Sequence, residues 1–163
     1  MYTVEKVGFD DIYHIWQEEL WPGRSIINKI STLTIRNNKL EQQTNIKRYE
    51  ATVVFFALKY TSHYYVKKEK LVGVNSGAQC GSKLYRSRGL WINPRHRGLG
   101  FAKELLNAVM EEGKNRDCNE IWSFPRKDSL YVYENIGFKK QSDWIEDDVE
   151  FGPNCIVTRP IDL

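Results

Sequence analysis

The stretch WINPRHRGLGFA, residues 91–102, decides how the rest of this chain is organised. A strand is predicted to end near Ile92, and Asn93-Pro94 predicts a sharp turn. A basic, glycine-bearing loop then leads directly into an amphipathic helix. Glycines let the backbone approach a ligand closely, and the first turn of a helix has unpaired N–H groups and a partial positive charge. The stretch therefore predicts a binding site for a phosphate group.

The segments on either side predict a mixed α/β or α+β fold built on a central sheet. Strands are predicted at residues 2–8, 51–60, 71–77, 84–92, 120–124, 138–144 and 155–159, the third of them apolar at 71–74 and small and polar at 75–77. Helices are predicted after a cap at Asp10 or Asp11, between Ile26 and Leu33, from Ala102 to Gly113 or Asn115, and over 129–135. Asn37-Asn38 and the polar run to Lys47 predict a mobile, exposed loop, and Glu146-Asp147-Asp148 predicts an acidic loop. The order is β-α-α-β-β-β-α-β-α-β-β, and one domain over residues 1–163 is expected.

Composition narrows the class of protein. With 163 residues, 41% of them hydrophobic and 28% charged, the chain is typical of an ordinary globular domain with its own core. A net charge of +3 is too small to indicate a nucleic-acid partner by itself. Cys80, Cys118 and Cys155 are far apart and form no C-x-x-C pair, which argues against a disulfide framework or a zinc site. We see no membrane-spanning run and no signal segment, so we expect a cytoplasmic protein without a membrane partner.

A second motif is YENIGF, residues 133–138. By itself it predicts a short helix that ends at Gly137 and a strand that begins at Phe138. Together with Arg95-x-x-Gly98-x-Gly100 and the predicted element order, it resembles the GNAT superfamily of acyl-CoA-dependent N-acyltransferases, most clearly over residues 70–140. A dinucleotide-binding turn would need a third glycine, and a P-loop would need Gly-Lys-Ser or Gly-Lys-Thr.

The GNAT resemblance implies a mixed, mostly antiparallel sheet that is splayed open between the strand ending at Ile92 and the strand over 120–124. Acetyl-CoA would lie in that opening as the acyl donor, and no metal is implied. The backbone of Leu90, Trp91 and Ile92 would pair with the pantetheine arm. The loop would hold the pyrophosphate, with Arg95 supporting it; its binding residues would be Arg97, Gly98, Leu99, Gly100, Phe101 and Ala102.

The GNAT resemblance also implies roles for Tyr133 in the second motif and for two residues that precede it. Tyr133 matches the tyrosine that contacts the departing sulfur, and it would act as general acid. Many relatives carry an asparagine and an alanine where this chain has Arg126 and Ser129. Both positions remain candidates for cofactor binding, and Arg126 has a phosphate or the acceptor as alternative partners.

The base is harder to place. A free alkyl amine has a pKa of about 10.4, so making it neutral at pH 7 costs roughly 4–5 kcal/mol, and a general base is useful. Glu50 is the first candidate, with Glu134 and His63 as alternatives; each could equally be a solvated surface residue. A covalent route through an acyl-cysteine is disfavoured, because no cysteine has a sequence partner that would activate it.

Two arginines stand out in the predicted strand over 84–92. Alternation places Arg86 and Arg88 on one face and Tyr85 and Ser87 on the other. If the arginines face the cleft, they could hold a carboxylate or phosphate of the acceptor. The alternative is a partly exposed strand face.

Three functions are compatible with these features of the sequence. The first is an N-acetyltransferase that moves an acetyl group from acetyl-CoA to a primary amine by direct attack. The second is a non-catalytic acyl-CoA-binding or sensor protein of the same fold. The third is a nucleic-acid or anion-binding module that uses the basic residues of 83–97, against which the low net charge speaks. The acceptor stays open between small-molecule and protein amines, and a homodimer stays open as well.

Overall fold

The computed structural model describes residues 1–24, 27–44, 46–64, 66–146 and 152–162. In chain order the strands and helices are β1 Tyr2–Val7, α1 Phe9–Ile15, β2 Leu33–Arg36, β3 Lys39–Gln42, α2 Ile46–Tyr49, β4 Val54–Ser62, β5 Lys68–Gln79, β6 Leu84–Ile92, α3 Phe101–Asn115, β7 Glu120–Ser123, α4 Leu130–Asn135, β8 Lys139–Lys140 and β9 Val157–Pro160. A π-helical turn, Trp16–Leu20, extends α1. Ile26 of the predicted second helix and Asp147 and Asp148 of the predicted acidic loop lie outside the described residues.

Seven strands form the main sheet in the order β1-β4-β5-β6-β7-β9-β8, and β2 and β3 form a separate hairpin. All neighbours in the main sheet are antiparallel except β6 and β7, which are parallel. The predicted mixed, mostly antiparallel sheet is confirmed. The predicted element order is also found, with the β2–β3 hairpin inserted between the first two helices.

The sheet splays open between β6 and β7. The two strands pair only at residues 84–86 and 120–122, and β6 then continues to Ile92 alone on that side. Pro125 follows β7 and has no N–H to extend the ladder. Gly89, at φ 76°, lies where β6 has one residue more than β5 between the pairs Ser76–Arg88 and Val74–Trp91. This left-handed bulge bends β6 as it leaves β7, and it confirms the predicted opening.

One face of the sheet is covered by α3, whose buried side chains include Leu105, Leu106 and Val109. The helix packs closely on the sheet at Gly113, where an added Cβ would lie only 3.0 Å from the ring of Tyr85. The contact fixes α3 against β5 and β6. The N-terminus of α3, and the loop before it, are therefore held next to the end of β6.

Aromatic packing covers the other face. Trp16 in the π-helical turn is fully buried and packs edge-on against Phe9 and Trp21. A Cβ at Gly89 would lie 2.9 Å from the indole nitrogen of Trp16. The end of α1 is thus packed directly on the bulge of β6, which brings the residues after Trp16 to the opening of the sheet.

The predicted helix between Ile26 and Leu33 is wrong. Residues 27–32 contain no helix, and Leu33 and Ile35 are both buried because they alternate along β2 rather than repeat with a helical period. Asn37 and Asn38, at φ 50° and 61°, form the tight turn between β2 and β3. Asparagine tolerates this left-handed backbone. The predicted exposed loop from Asn37 to Lys47 is therefore wrong, because it contains this turn, β3 and the start of α2. The second helix is α2.

The predicted cap at Asp10 or Asp11 is wrong, because Gly8 is the N-cap of α1 and both aspartates lie in the first turn of the helix. The Asp11 side chain accepts a hydrogen bond from the Gly8 N–H at 2.8 Å, which pairs a backbone donor that the helix itself leaves open. Of the helices in the described part of the chain, none combines the length and the apolar composition that a bilayer span requires.

Replacing Leu106 by Ala tests the α3–sheet contact. Leu106 is fully buried in the core, so we expect the variant to lower the free energy of unfolding by about 2–5 kcal/mol. Leu99→Ala is the matched control, since Leu99 is 63% exposed and should change stability by less than about 0.5 kcal/mol. Urea denaturation followed by circular dichroism measures both; equal losses would contradict the packing described.

Candidate active site

A cleft of about 700 Å³ opens where β6 and β7 diverge. Its walls are the second half of β6, the glycine loop with the first turn of α3, residues 123–126 at and after the end of β7, and one side of α4. Glu19 and Leu20, at the end of the π-helical turn, and Trp21, directly after it, also line the cleft. The cleft is the space that the broken β6–β7 pairing leaves.

The loop that enters α3 is built by local hydrogen bonds and backbone conformation. The Asn93 side chain accepts a hydrogen bond from the Arg95 N–H at 3.1 Å and starts a single turn of 3₁₀ helix. Gly98 and Gly100 have φ 78° and 83°, a left-handed backbone that strains other residues, and Gly100 is the N-cap of α3. A Cβ at either glycine would meet no described atom within 4 Å. The loop therefore presents backbone toward open space at a helix N-terminus.

Arg97 supports this loop, rather than Arg95. The Arg97 Nε donates a hydrogen bond to the Ile92 carbonyl at 3.0 Å and ties the loop back to the end of β6. The Arg95 side chain is exposed. The sequence alone did not show which of the two arginines supports the loop.

The structure brings most of the predicted cofactor residues to one place. Those that line the cleft are Leu90, Trp91, Ile92, Arg97, Gly98, Gly100, Phe101, Ala102, Arg126 and Ser129. Arg95 and Leu99 are exposed outside the lining. Arg126 donates a hydrogen bond to the Leu20 carbonyl, so its side chain joins the loop after β7 to the end of α1.

Tyr133 lines the same cleft from α4 and is 4% exposed. Its hydroxyl lies 3.3 Å from the Ser123 hydroxyl, which is 2.9 Å from the Ser87 carbonyl. The Ser87 hydroxyl in turn donates to Asn75 Oδ1 at 3.1 Å. A buried row of polar groups thus runs from β5 through β6 and β7 to Tyr133, just where the sheet begins to open.

A family model described as Acetyltransferase (GNAT) family matches residues 13–138, more than half of the chain. The chain belongs to the GNAT family. The resemblance that the two motifs indicated is confirmed, and the acyltransferase class of the protein with it. No curated protein matches the chain in sequence.

Solved structures share the GNAT fold. A GNAT-family acetyltransferase from Staphylococcus aureus MU50 is 15% identical over 99% of this chain and 100% of its own, with a TM-score of 0.62. The IAA acetyltransferase from Bacillus cereus ATCC 14579 is 14% identical over 98% of this chain and 99% of its own, with a TM-score of 0.65. An aminoglycoside 6'-N-acetyltransferase complexed with coenzyme A is 14% identical over 74% of this chain and 79% of its own, with a TM-score of 0.56.

Within this GNAT fold, Arg86 and Arg88 share one face of β6, as alternation predicted, and both line the cleft. The Arg86 guanidinium lies 4.6 Å from the centre of the Trp122 ring. The Arg88 guanidinium lies 4.9 Å from the Trp16 ring and 5.1 Å from the Trp21 ring. Arg86 is only 3% exposed, so this part of β6 is a cleft wall rather than an exposed strand face.

The predicted bases are not brought to the cleft. Glu50 is exposed in a 3₁₀ turn before β4, His63 is exposed after β4, and Glu134 is on the exposed side of α4. The carboxylates of the described residues that do line the cleft are Glu19 and Asp128. Sequence reasoning missed both. Glu19 reaches the site only because α1 packs on the bulge of β6, and no local pattern marks that contact.

The three cysteines are free and buried. Burial raises the pKa of Cys118 and of Cys155 to about 11, and it also raises the pKa of Cys80. A thiol is nucleophilic as the thiolate, so these groups are poor nucleophiles at neutral pH. The described residues also contain no group of three or more His, Cys, Asp and Glu that could hold a metal ion.

Thiol titration checks the cysteine environment. At pH 7 we expect the folded protein to react with Ellman's reagent at least roughly 100-fold more slowly than free cysteine, because burial limits access and keeps the thiols protonated. In denaturant all three cysteines should react. A folded-state thiol that reacts as fast as free cysteine would contradict this prediction and reopen a covalent route.

Proposed function

We propose that this chain, as one domain over residues 1–163, is an N-acetyltransferase that moves an acetyl group from acetyl-CoA to a primary amine. The observation that carries the proposal is the cleft at the β6–β7 opening, which has the glycine loop and the start of α3 on one side and Tyr133 on the other. Membership of the GNAT family supports the reaction class. The structural neighbour that is complexed with coenzyme A supports the donor.

The glycine loop would hold the pyrophosphate of the donor. N–H groups of residues 97–102 lie at the N-terminus of a helix that runs from Phe101 to Asn115, where the partial positive charge favours an anion. Arg97 and Lys103 add positive charge to the lining. Arg95 and Leu99 are outside the lining, so we assign them no direct contact with the donor.

The open edge of β6 would hold the pantetheine arm. Beyond residue 86, β6 pairs with β5 on one side and has lost β7 on the other. Backbone N–H and C=O groups on the open side need partners, and the amides of pantetheine can supply them as an added strand would. Leu90, Trp91 and Ile92 line the cleft at this edge. Ser129 also lines the cleft, while Arg126 bonds Leu20 and would instead shape the acceptor end.

The reaction would be a direct attack. The neutral amine forms a C–N bond to the thioester carbon, the C–S bond breaks with its electron pair on sulfur, and the amine gives up one proton. The leaving thiolate has a parent pKa of about 8.5 against about 10 for tyrosine, so full proton transfer from Tyr133 is uphill by roughly 2 kcal/mol. A hydrogen bond from Tyr133 stabilises the thiolate without that transfer. Ser123, 3.3 Å away, would hold the phenol in place.

The proton of the amine would leave through the solvent of the open cleft. Glu50 has no part in this step, because it lies on an exposed turn outside the lining. Among the residues that the structure describes, Glu19 and Asp128 are the carboxylates at the cleft wall that can receive the proton through water.

One observation favours a second candidate, the acyl-CoA-binding protein without catalysis: all three bases predicted from the sequence lie outside the cleft. A nucleic-acid module fits less well, because Arg86 and Arg88 face the cleft and stack on buried tryptophans. Calorimetry with acetyl-CoA and coenzyme A, followed by a coenzyme A release assay on a broad amine panel, separates the candidates. Binding with turnover supports the enzyme, binding without turnover on any amine supports the sensor, and no binding of any CoA ester refutes both.

Gly98→Asp tests the phosphate site. The new carboxylate would stand at the proposed pyrophosphate position, so we expect acetyl-CoA affinity to fall by at least about 100-fold in calorimetry. Gly23→Asp is the matched control, because Gly23 has a similar φ of 84° with no described atom within 4 Å of an added Cβ, and it lies outside the cleft lining. Undiminished affinity in Gly98→Asp would mean that the loop binds something else.

Tyr133→Phe tests the leaving-group role. The ring and its contact with Phe138 are kept and only the hydroxyl is lost, so we expect kcat to fall roughly 100-fold while coenzyme A affinity stays within about 2-fold. Tyr60→Phe, at an exposed site on β4, should leave both values unchanged. An unchanged kcat in Tyr133→Phe would remove the proposed role.

A further inference from the structure

The cleft has a buried part and an exposed mouth. In the buried part the Tyr133 hydroxyl meets Ser123 at the apex of the β6–β7 opening, and Tyr133 is only 4% exposed. At the mouth the lining includes exposed side chains of α3 and α4, namely Lys103, Tyr131 and Asn135. The glycine loop ends at the N-cap of α3, so the mouth lies directly beside the proposed pyrophosphate site.

Tyr131 presents an aromatic ring to solvent at this mouth. It is 61% exposed, and no ring contact or side-chain hydrogen bond joins it to another residue in the described part of the chain. Tyr133, two residues further on, is instead buried against Phe138. Single exposed apolar residues are common on protein surfaces, but Tyr131 also belongs to the lining of the cleft. Its ring is therefore placed to contact whatever fills the mouth.

Two polar side chains accompany the ring. Asn135 lies four residues after Tyr131, so both project from one face of α4. Lys103 is in the first turn of α3. Neither polar side chain makes a hydrogen bond or an ion pair with another described residue. The mouth thus offers an aromatic ring, an amide and an ammonium group, which suit a purine, its polar edge and a phosphate.

We infer that this mouth is a subsite for the adenosine 3′-phosphate half of the donor, with the adenine stacked on Tyr131. The inference rests on the proposed function and deepens it by naming what selects the donor. Along acetyl-CoA the groups follow in the order thioester, pantetheine, pyrophosphate and adenosine 3′-phosphate. With the thioester at Tyr133 and the pyrophosphate at the glycine loop, only a ribose separates the loop from the base. The base is therefore delivered to the mouth.

Charge decides which wall of the mouth holds which group. Lys103, on α3, attracts the 3′-phosphate. Asp128, which precedes α4 and also lines the cleft, repels a phosphate but can accept a hydrogen bond from the adenine amino group. The base is therefore expected on the α4 wall with Tyr131, and the 3′-phosphate on the α3 wall. The Asn135 amide can both donate to and accept from the polar edge of the same base.

The subsite separates two classes of acyl donor. A thioester carried on phosphopantetheine alone, as on a carrier protein, has the same reacting group and one phosphate but no nucleotide. Removal of an aromatic side chain from beneath a stacked base weakens binding by about 10-fold. The mouth would therefore favour donors that carry the nucleotide.

Ligand truncation combined with substitution of the ring tests the subsite. The probes are coenzyme A, 3′-dephospho-coenzyme A and 4′-phosphopantetheine, each measured by calorimetry at one ionic strength. Wild-type protein should bind coenzyme A at least about 10-fold more tightly than 4′-phosphopantetheine. Equal affinities for these two ligands would overturn the inference.

Tyr131→Ala should weaken coenzyme A and 3′-dephospho-coenzyme A by about 10-fold and leave the affinity for 4′-phosphopantetheine within about 2-fold. Tyr131→Phe keeps the ring and should bind all three ligands as the wild type does. Tyr60→Ala is the matched control, since Tyr60 is 38% exposed on β4 and lies outside the lining. If Tyr131→Ala weakened all three ligands equally, or none of them, the stacking assignment would be wrong.

Lys103→Gln tests the 3′-phosphate. We expect coenzyme A to bind about 5-fold more weakly at low salt, and less so at high salt, while 3′-dephospho-coenzyme A stays within about 2-fold. Lys114→Gln is the matched control, because Lys114 is exposed in the last turn of the same helix. Equal losses for the two ligands would remove the 3′-phosphate from Lys103.

The two proposals fail separately, because turnover does not enter these measurements. A protein that binds coenzyme A without turnover on any amine would refute the enzyme, and its ligand ratios would still decide the subsite. Turnover combined with ligand ratios that Tyr131→Ala leaves unchanged would refute the subsite and keep the enzyme. Absence of binding of all three ligands would refute both.

Discussion

The interrupted hydrogen bonding between β6 and β7 is the constraint on which the site depends. Parallel pairing stops after residues 86 and 122, although both strands continue. Unpaired backbone groups inside a protein are costly, so a sheet does not open without a reason. Here the bulge at Gly89 turns β6 away, and Pro125 removes the donor with which the ladder would have continued. At the apex the Ser123 hydroxyl bonds the Ser87 carbonyl, so a side chain replaces a backbone donor at the point of separation.

The two faces of β6 carry different chemistry beyond that point. Ser87 points to the α3 side, where it meets Asn75 and the polar row that reaches Tyr133. Arg86 and Arg88 point to the other side, where tryptophans hold them. On the proposed function, the donor enters along the glycine loop, and its thioester lies between a phenol on one face and cations on the other. Strand alternation alone produces this division.

The aromatic cluster around Trp16 connects distant parts of the chain to the cleft. Because Gly89 has no side chain, the Trp16 indole can pack against the bulge, and the end of α1 comes with it. That packing places Glu19 and Leu20 at one end of the cleft and lets Arg126 bond the Leu20 carbonyl. A bulge in one strand thus positions residues that are far away in the sequence. We regard this contact as the reason that the acceptor end has a defined shape.

The sequence by itself determined the features that local signals encode. Alternation and composition predicted β6 at its observed limits, glycines and a proline predicted the loop into α3, and YENIGF predicted α4 and its end. Local signals failed where a choice depended on distant partners. The apolar residues between Ile26 and Leu33 have a spacing that is typical of a helix. In the structure, however, Leu33 and Ile35 lie on the buried face of strand β2, which belongs to a hairpin. Only the tertiary structure decided that Arg97 rather than Arg95 ties the loop to β6. It also decided that Glu50 lies outside the cleft whereas Glu19 lines it. Finally, it decided that Arg86 and Arg88 face the cleft. Each of these depends on which surfaces pack together, and packing joins residues whose separation along the chain leaves no periodic trace.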